Sequence, residues 1–152
     1  MDYTIPHEVK NILEKFEKNK FQIYVVGGGV RDLLMGKRVE DWDFTTDAKP
    51  EEILKLFPDG FYDNKFGTVG LDVGDGVFEI TTMRKEGIYK DHRHPIDVSW
   101  TNKIEEDLAR RDFTVNATAL SLDGQVVDPF NGRNDIKNKL IKAVGEIGRA
   151  HV

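Results

Sequence analysis

The sequence predicts an α/β domain of the α+β kind, a mixed β-sheet with helices packed on one side. Three observations carry that prediction. Apolar residues recur at helical spacing over 6–18 and 50–58; a strand, glycine turn, helix and second strand follow one another from Val25 to Asp43; and glycine-centred hairpin signatures occur at 74–76 and 123–124. The chain has 152 residues, 39% of them hydrophobic and 32% charged, which suits one soluble domain with a real core and excludes a disordered chain. No apolar run approaches the ~20 residues of a spanning helix, and the N-terminus carries no signal-peptide pattern, so the expectation is a cytoplasmic protein with no membrane partner. The absence of cysteine excludes disulfide partners and thiolate zinc sites.

Taken in order, Val9, Ile12, Leu13 and Phe16 define an amphipathic packing helix started by Pro6. Ile23 to Val26 is β-branched and aromatic, as a buried strand requires, and Gly27, Gly28 and Gly29 end it. Val30 to Met35 reads as a short helix stopped by Gly36. A glycine turn feeding a helix lets phosphate oxygens approach backbone N–H groups, and Arg31 supplies a matching fork. Two common phosphate motifs fail here. The dinucleotide fingerprint needs glycine where Asp32 stands, and a Walker loop from Gly29 needs glycine and lysine where Leu34 and Met35 stand. In Asp41-Trp42-Asp43-Phe44-Thr45, strand alternation sends Asp41 and Asp43 to one face, about 7 Å apart, and Trp42 and Phe44 to the other. Such a carboxylate pair is either a solvated acidic face or a seat for a hard cation such as Mg²⁺ together with substrate phosphates.

Thr46 or Asp47 then caps a helix with Pro50 in its first turn, running through Ile53, Leu54 and Phe57 to Pro58. Thr68–Val73 and Val77–Met83 form a hairpin. Glu79 interrupts the second strand, and two readings stand: a partnered or metal-bound carboxylate, or an edge-strand glutamate facing water. Arg84 to Pro95 is a polar loop whose His92 and His94 lack a third ligand. Ile104 to Arg111 is a helix with Glu105, Glu106 and Asp107 near its start and Arg110 and Arg111 near its end, the order the macrodipole favours and by default a solvated face. Leu120–Val127 is a second hairpin, 128–132 a turn, and a short helix with Leu140 and Ile141 closes the domain.

GGGVRD, DWDFTTDA, FEITTMR from Phe78, DLARRDFTVNA from Asp107 and DPFNGRNDIKNKLIKAVG from Asp128 stand in the order and spacing of the class II tRNA nucleotidyltransferase family, which the chain resembles from about Phe21 to Gly145. That family comprises CCA-adding enzymes and bacterial poly(A) polymerases. The resemblance implies a head with the DNA polymerase beta-like nucleotidyltransferase fold. It implies that Asp41 and Asp43 hold two Mg²⁺ ions about 3.5 to 4 Å apart, with Glu79 as the third acidic residue of the catalytic group. Gly27, Gly28 and Arg31 then hold the triphosphate, Arg111 meets the nucleotide, and Asp112, Thr114 and Asn116 serve the ribose and the local turn. The loop after Arg84 takes a positioning role.

The expected activity is transfer of CMP or AMP from CTP or ATP to the 3′-hydroxyl of tRNA. The alternatives are a poly(A) polymerase head, which shares these residues, and a non-catalytic nucleotide-binding module. The expected division is a head over 1–145, with 146–152 either the start of a nucleotide-selecting neck or an artefactual tail. A net charge of −5 argues against a broad phosphate-binding surface, which leaves the grip on tRNA to regions beyond the head.

Overall fold

A computed structural model of the chain describes residues 5–39, 41–63, 67–74, 76–85 and 99–144. Helix α1 (His7–Lys18) buries the four predicted residues, and Pro6 is its N-cap. Strand β1 (Ile23–Val26) runs into helix α2 (Gly28–Leu34), followed by β2 (Asp43–Thr46), helix α3 (Pro50–Leu56) and strands β3 (Phe61–Asp63), β4 (Thr68–Asp72) and β5 (Val77–Thr82). Next come the short strands β6 (Arg84–Lys85) and β7 (Ser99–Trp100), helix α4 (Ile104–Ala109) and a 3-10 turn at Thr114–Asn116. Strands β8 (Ala119–Leu120) and β9 (Val126–Val127) and helix α5 (Gly132–Lys137) complete the order.

Seven strands form one mixed sheet in the order β3-β4-β5-β2-β1-β8-β9, and β6 pairs with β7 in a separate ribbon. Within the large sheet β2 and β5 run parallel, and the other pairs are antiparallel. Alternation gives the sheet two faces. On one, Ile23, Val25, Phe44, Phe78, Ile80 and Leu120 pack with Leu13 and Phe16 of α1, Val30 of α2 and Ile53 of α3. On the other, Val26 and Ala119 pack with Met83 and with Ile104 and Leu108 of α4. Three helices therefore share one face, as expected, but α4 lies across the opposite face, where Asp43 and Thr45 also point, so the helices are not confined to one side of the sheet.

Four local expectations are corrected. Helix α2 begins two residues earlier, at Gly28, because the Arg31 N–H already bonds the Gly27 carbonyl at 3.2 Å. The strand of the acidic pair begins at Asp43, so Asp41 stands just outside it, although the Trp42 carbonyl still accepts the Glu79 N–H at 3.3 Å. Helix α3 is capped at Lys49, whose N–H donates to Glu52 at 3.0 Å. The side chains of Thr46 and Asp47 are committed elsewhere, the Thr46 hydroxyl to the Gln22 carbonyl and the Asp47 carboxylate to the Gln22 N–H. Leu140 and Ile141 lie outside any helix and are exposed, since Lys139 turns left-handed at φ 57 and the Leu140 N–H closes back on the Asp135 carbonyl at 2.8 Å. The loop histidines His92 and His94 and the tail 146–152 fall outside the described residues.

Candidate active site

The chemistry-bearing residues gather where β1 ends. Gly27 adopts φ 73 and ψ −147, a conformation that side-chain-bearing residues rarely tolerate, and so turns the chain sharply from β1 into α2. A Cβ placed on Gly27 would stand 3.6 Å from Asp43 Oδ2 and 3.8 Å from Arg111 Nη1. Its bare backbone thus occupies the gap between a carboxylate and a guanidinium. At Gly28 a Cβ would come within 3.2 Å of Arg31 Nη2, so a side chain there would press on that cation. At Gly29 it would meet the Asp41 carbonyl at 3.0 Å and Val39 at 3.3 Å. The segment leading into Asp41 packs directly on the first turn of α2, and this contact places Asp41 although no strand pairing does.

Asp43 is held by the sheet. Its Cα pairs with Val26 on one side and with Glu79 on the other, and the parallel register puts the Asp43 and Glu79 carboxylates on one face. Strand β5 is interior to the sheet, which overturns the edge-strand reading of Glu79, and Glu79 is exposed on the open face. Burial raises the Asp43 carboxyl above the ordinary carboxylate range; Glu79 adds to the shift, Arg111 opposes it, and Asp41 adds to it again. Crowded acidic charge of this kind is what a hard cation relieves. Among the described residues no three His, Cys, Asp or Glu side chains form a metal-holding group. A cation here would rest on Asp41 and Asp43 and complete its shell with ligand phosphates and water, the arrangement Mg²⁺ accepts.

The cations are fixed in two ways. Arg31 donates from Nη1 to Asn116 Oδ1 at 3.2 Å and from Nε to Asp32 Oδ1 at 3.2 Å, so the 3-10 turn and α2 orient it together. Behind that turn the Thr114 hydroxyl donates to the buried Asp135 at 2.5 Å, and α5 approaches so closely that a Cβ on Gly132 would stand 2.1 Å from the Thr114 carbonyl oxygen. Arg111 donates from Nη2 to Asp107 Oδ2 at 3.3 Å. Burial lowers the Arg111 pKa while Asp107 opposes the change. The Arg111 Nε is buried with no hydrogen-bond partner among the described residues.

The structure therefore joins Gly27, Asp43 and Arg111, sets Glu79 beside Asp43, links Gly28, Arg31 and Asn116, and places Asp41 next to Gly29. Asp112 is exposed, its carbonyl accepts the Val144 N–H at 3.0 Å, and among the described residues no contact joins its side chain to the others. Asp107 corrects the expectation of a solvated helix face: it is 0% exposed. The spacing of Asp107 to Arg110 and Arg111 signals intrahelical pairing; nothing in it signals burial. A cleft of about 460 Å³ among Ile12, Lys15, Phe57 and Val73 lies in the α1 and α3 layer, and none of the site residues lines it.

The fold is that of a nucleotidyltransferase head of the DNA polymerase beta type. A family model described as the poly A polymerase head domain matches residues 23–142, and the chain belongs to that family. It is 47% identical over 136 residues to a CCA-adding enzyme of Lactobacillus helveticus, covering 89% of this chain and 34% of the relative. It is 42% identical over 136 residues to a CCA-adding enzyme of Geobacillus thermodenitrificans, with the same two coverages. Among solved structures, the Bacillus stearothermophilus CCA-adding enzyme in complex with CTP superposes with a TM-score of 0.83 at 36% identity, covering 94% of this chain and 35% of that one. A tRNA nucleotidyltransferase complexed with a primer tRNA and an incoming ATP analog superposes at 0.68 with 31% identity, covering 88% of this chain and 39% of that one. The chain spans about a third of the length of the curated relatives it matches.

Proposed function

We propose that this chain is the metal-dependent catalytic head of a CCA-adding nucleotidyltransferase, transferring CMP or AMP from CTP or ATP to the 3′-hydroxyl of tRNA in the cytoplasm. The observation that carries the reading is the bare Gly27 backbone between Asp43 Oδ2 and Arg111 Nη1, an opening where a phosphate can meet a backbone turn, a cation and a metal-binding carboxylate together. Gly27 and Gly28 admit the triphosphate to the backbone, Arg31 and Arg111 bind its oxygens, and Asp112 and Asn116 serve the ribose side. Asp41 and Asp43 would hold Mg²⁺, with Glu79 completing the acidic group. Bound Mg²⁺ supplies charge neutralisation at the triphosphate and a lowered pKa for the attacking hydroxyl. The 3′-oxygen loses its proton and forms a bond to the α-phosphorus, the α–β bridging P–O bond breaks, and pyrophosphate leaves. In such a transfer the protein contributes mainly positioning and electrostatics, which the two anchored arginines and the ladder-held Asp43 provide.

The names of the similar enzymes favour CCA addition, and the family description keeps poly(A) synthesis as the second reading. The test is incorporation of labelled nucleotide into tRNA lacking its 3′ end, by this head joined to the remaining two thirds of the Lactobacillus helveticus relative. Asp41→Ala and Asp43→Ala should each lower turnover by at least about 10²-fold, the scale of losing a principal electrostatic contact. Undiminished activity in Asp41→Ala would overturn the metal assignment. Incorporation of AMP alone would favour the poly(A) reading, and nucleotide binding indifferent to Mg²⁺ would favour a non-catalytic module.

A further inference from the structure

Asp107 has no role in the reading above, yet it is among the most heavily engaged side chains near the site. Its Oδ2 accepts the Thr45 hydroxyl and Arg111 Nη2, each at 3.3 Å. Its Oδ1 accepts the Arg84 backbone N–H at 3.0 Å and Arg110 Nε at 3.3 Å, with Arg110 Nη2 at 3.2 Å. Thr45 is two residues beyond Asp43 on the same face of β2, so this one carboxylate bolts α4 to the sheet beside the candidate metal ligand. Resting on the nucleotide-binding reading, we infer that Asp107 is a positioning residue that aims the Arg111 guanidinium at the incoming phosphate and keeps it from collapsing onto Asp43.

The geometry gives the reason. Arg111 has two carboxylates in its surroundings: Asp107 holds it directly, through Nη2 at 3.3 Å, while Asp43 stands across the Gly27 backbone from it. Asp107 occupies Nη2, which leaves Nη1 on the Gly27 side, 3.8 Å from where a Cβ of that residue would stand. Neutralising Asp107 removes the stronger competitor. The half-buried guanidinium would then turn toward Asp43, filling the phosphate opening and engaging the carboxylate that the metal needs.

The experiment is a double-mutant cycle on the 152-residue chain, with Mg-ATP binding followed by NMR shift titration in the wild type, Asp107→Asn, Arg111→Ala and the double variant. Asp107→Asn should weaken binding about tenfold and Arg111→Ala at least as much, the scale of one charge-assisted contact. The double variant should bind no more weakly than Arg111→Ala, because Asp107 acts through that side chain. Additive losses, or wild-type affinity in Asp107→Asn, would overturn the inference. Absence of Mg-ATP binding by the wild type would instead overturn the nucleotide reading. Should Asp107→Asn fail to fold, the ¹⁵N guanidinium spectrum of the wild type decides: resolved, slowly exchanging Arg111 Nη signals support a clamped fork, and averaged signals refute it.

Discussion

Replacing Gly27 with alanine separates two quantities that usually fall together, stability and ligand affinity. The added methyl would lie 3.6 Å from Asp43 Oδ2 and 3.8 Å from Arg111 Nη1, ordinary contact distances, so crowding costs the free protein almost nothing. The backbone at φ 73 and ψ −147 is the source of the loss, about 1–3 kcal/mol for a conformation essentially reserved to glycine. In a domain of this size each kcal/mol lowers Tm by roughly 2–4 °C, so a fall of about 5 °C is expected. Affinity should fall further, because the methyl fills the opening through which a phosphate reaches the backbone: at least about tenfold, or ~1.4 kcal/mol. Gly36→Ala is the matched control, with φ 72 and nothing within 4 Å of its added Cβ. It should cost a comparable 1–2 kcal/mol or so of stability and leave Mg-ATP affinity unchanged. Differential scanning calorimetry and isothermal titration of both variants read the two effects. Equal losses of affinity in the two, or intact binding in Gly27→Ala, would refute the claim that this opening receives phosphate.

Asp43 predicts an inverted pH dependence in the metal-free protein. Its folded pKa is raised, so the folded state holds the proton more tightly, and stability falls as pH rises from the ordinary carboxylate value near ~4 through the raised value. Asp43→Asn should therefore flatten that decline and stabilise the metal-free protein at neutral pH; denaturant titrations showing it less stable than wild type at pH 7 would contradict the assignment. Gly132→Ala should be far more damaging than any other glycine change considered, because its Cβ would stand 2.1 Å from the Thr114 backbone oxygen and rigid backbone must move. Loss of several kcal/mol is expected, about the upper range of single substitutions, and near-native denaturation midpoints would show that α5 is free to shift.

Much of the candidate site's geometry is legible because local rules alone place its backbone. Gly27 to Gly29 announce a turn and a close approach, and Asp43 with Phe44 shows a strand with one polar and one apolar face. Asp41 was harder to place, since its position depends on packing against Gly29 rather than on strand alternation. Asp107 escaped altogether. A helix start rich in acids followed by arginines satisfies the macrodipole in solvent just as well, and only tertiary partners, the Thr45 hydroxyl 62 residues away in sequence and the Arg84 backbone N–H, reveal that the carboxylate is inside. The cap of α3 was misread for a related reason: Thr46 and Asp47 are good cap residues whose side chains are committed to Gln22. Propensity describes what a side chain can do locally, and tertiary partners decide what it does.

The interior position of β1 in the sheet has a kinetic consequence. This strand pairs with β2 on one side, a nearby partner in sequence, and with β8 on the other, Val25 meeting Leu120 across most of the chain. Closing so long a loop is entropically slow, and its reward comes only when both strands are in register. Gly27 follows β1, while Arg111 and Asn116 precede β8, so the proposed phosphate opening straddles that seam. A folding intermediate that has formed only the hairpin of β4 and β5 and the pairing of β1 with β2 would carry the acidic residues and Arg31 without Arg111 and Asn116. Such a species would hold Arg31 without the Asn116 side-chain carbonyl that orients it and would lack Arg111, so the full set of groups around the Gly27 turn would arise only with the last long-range pairing.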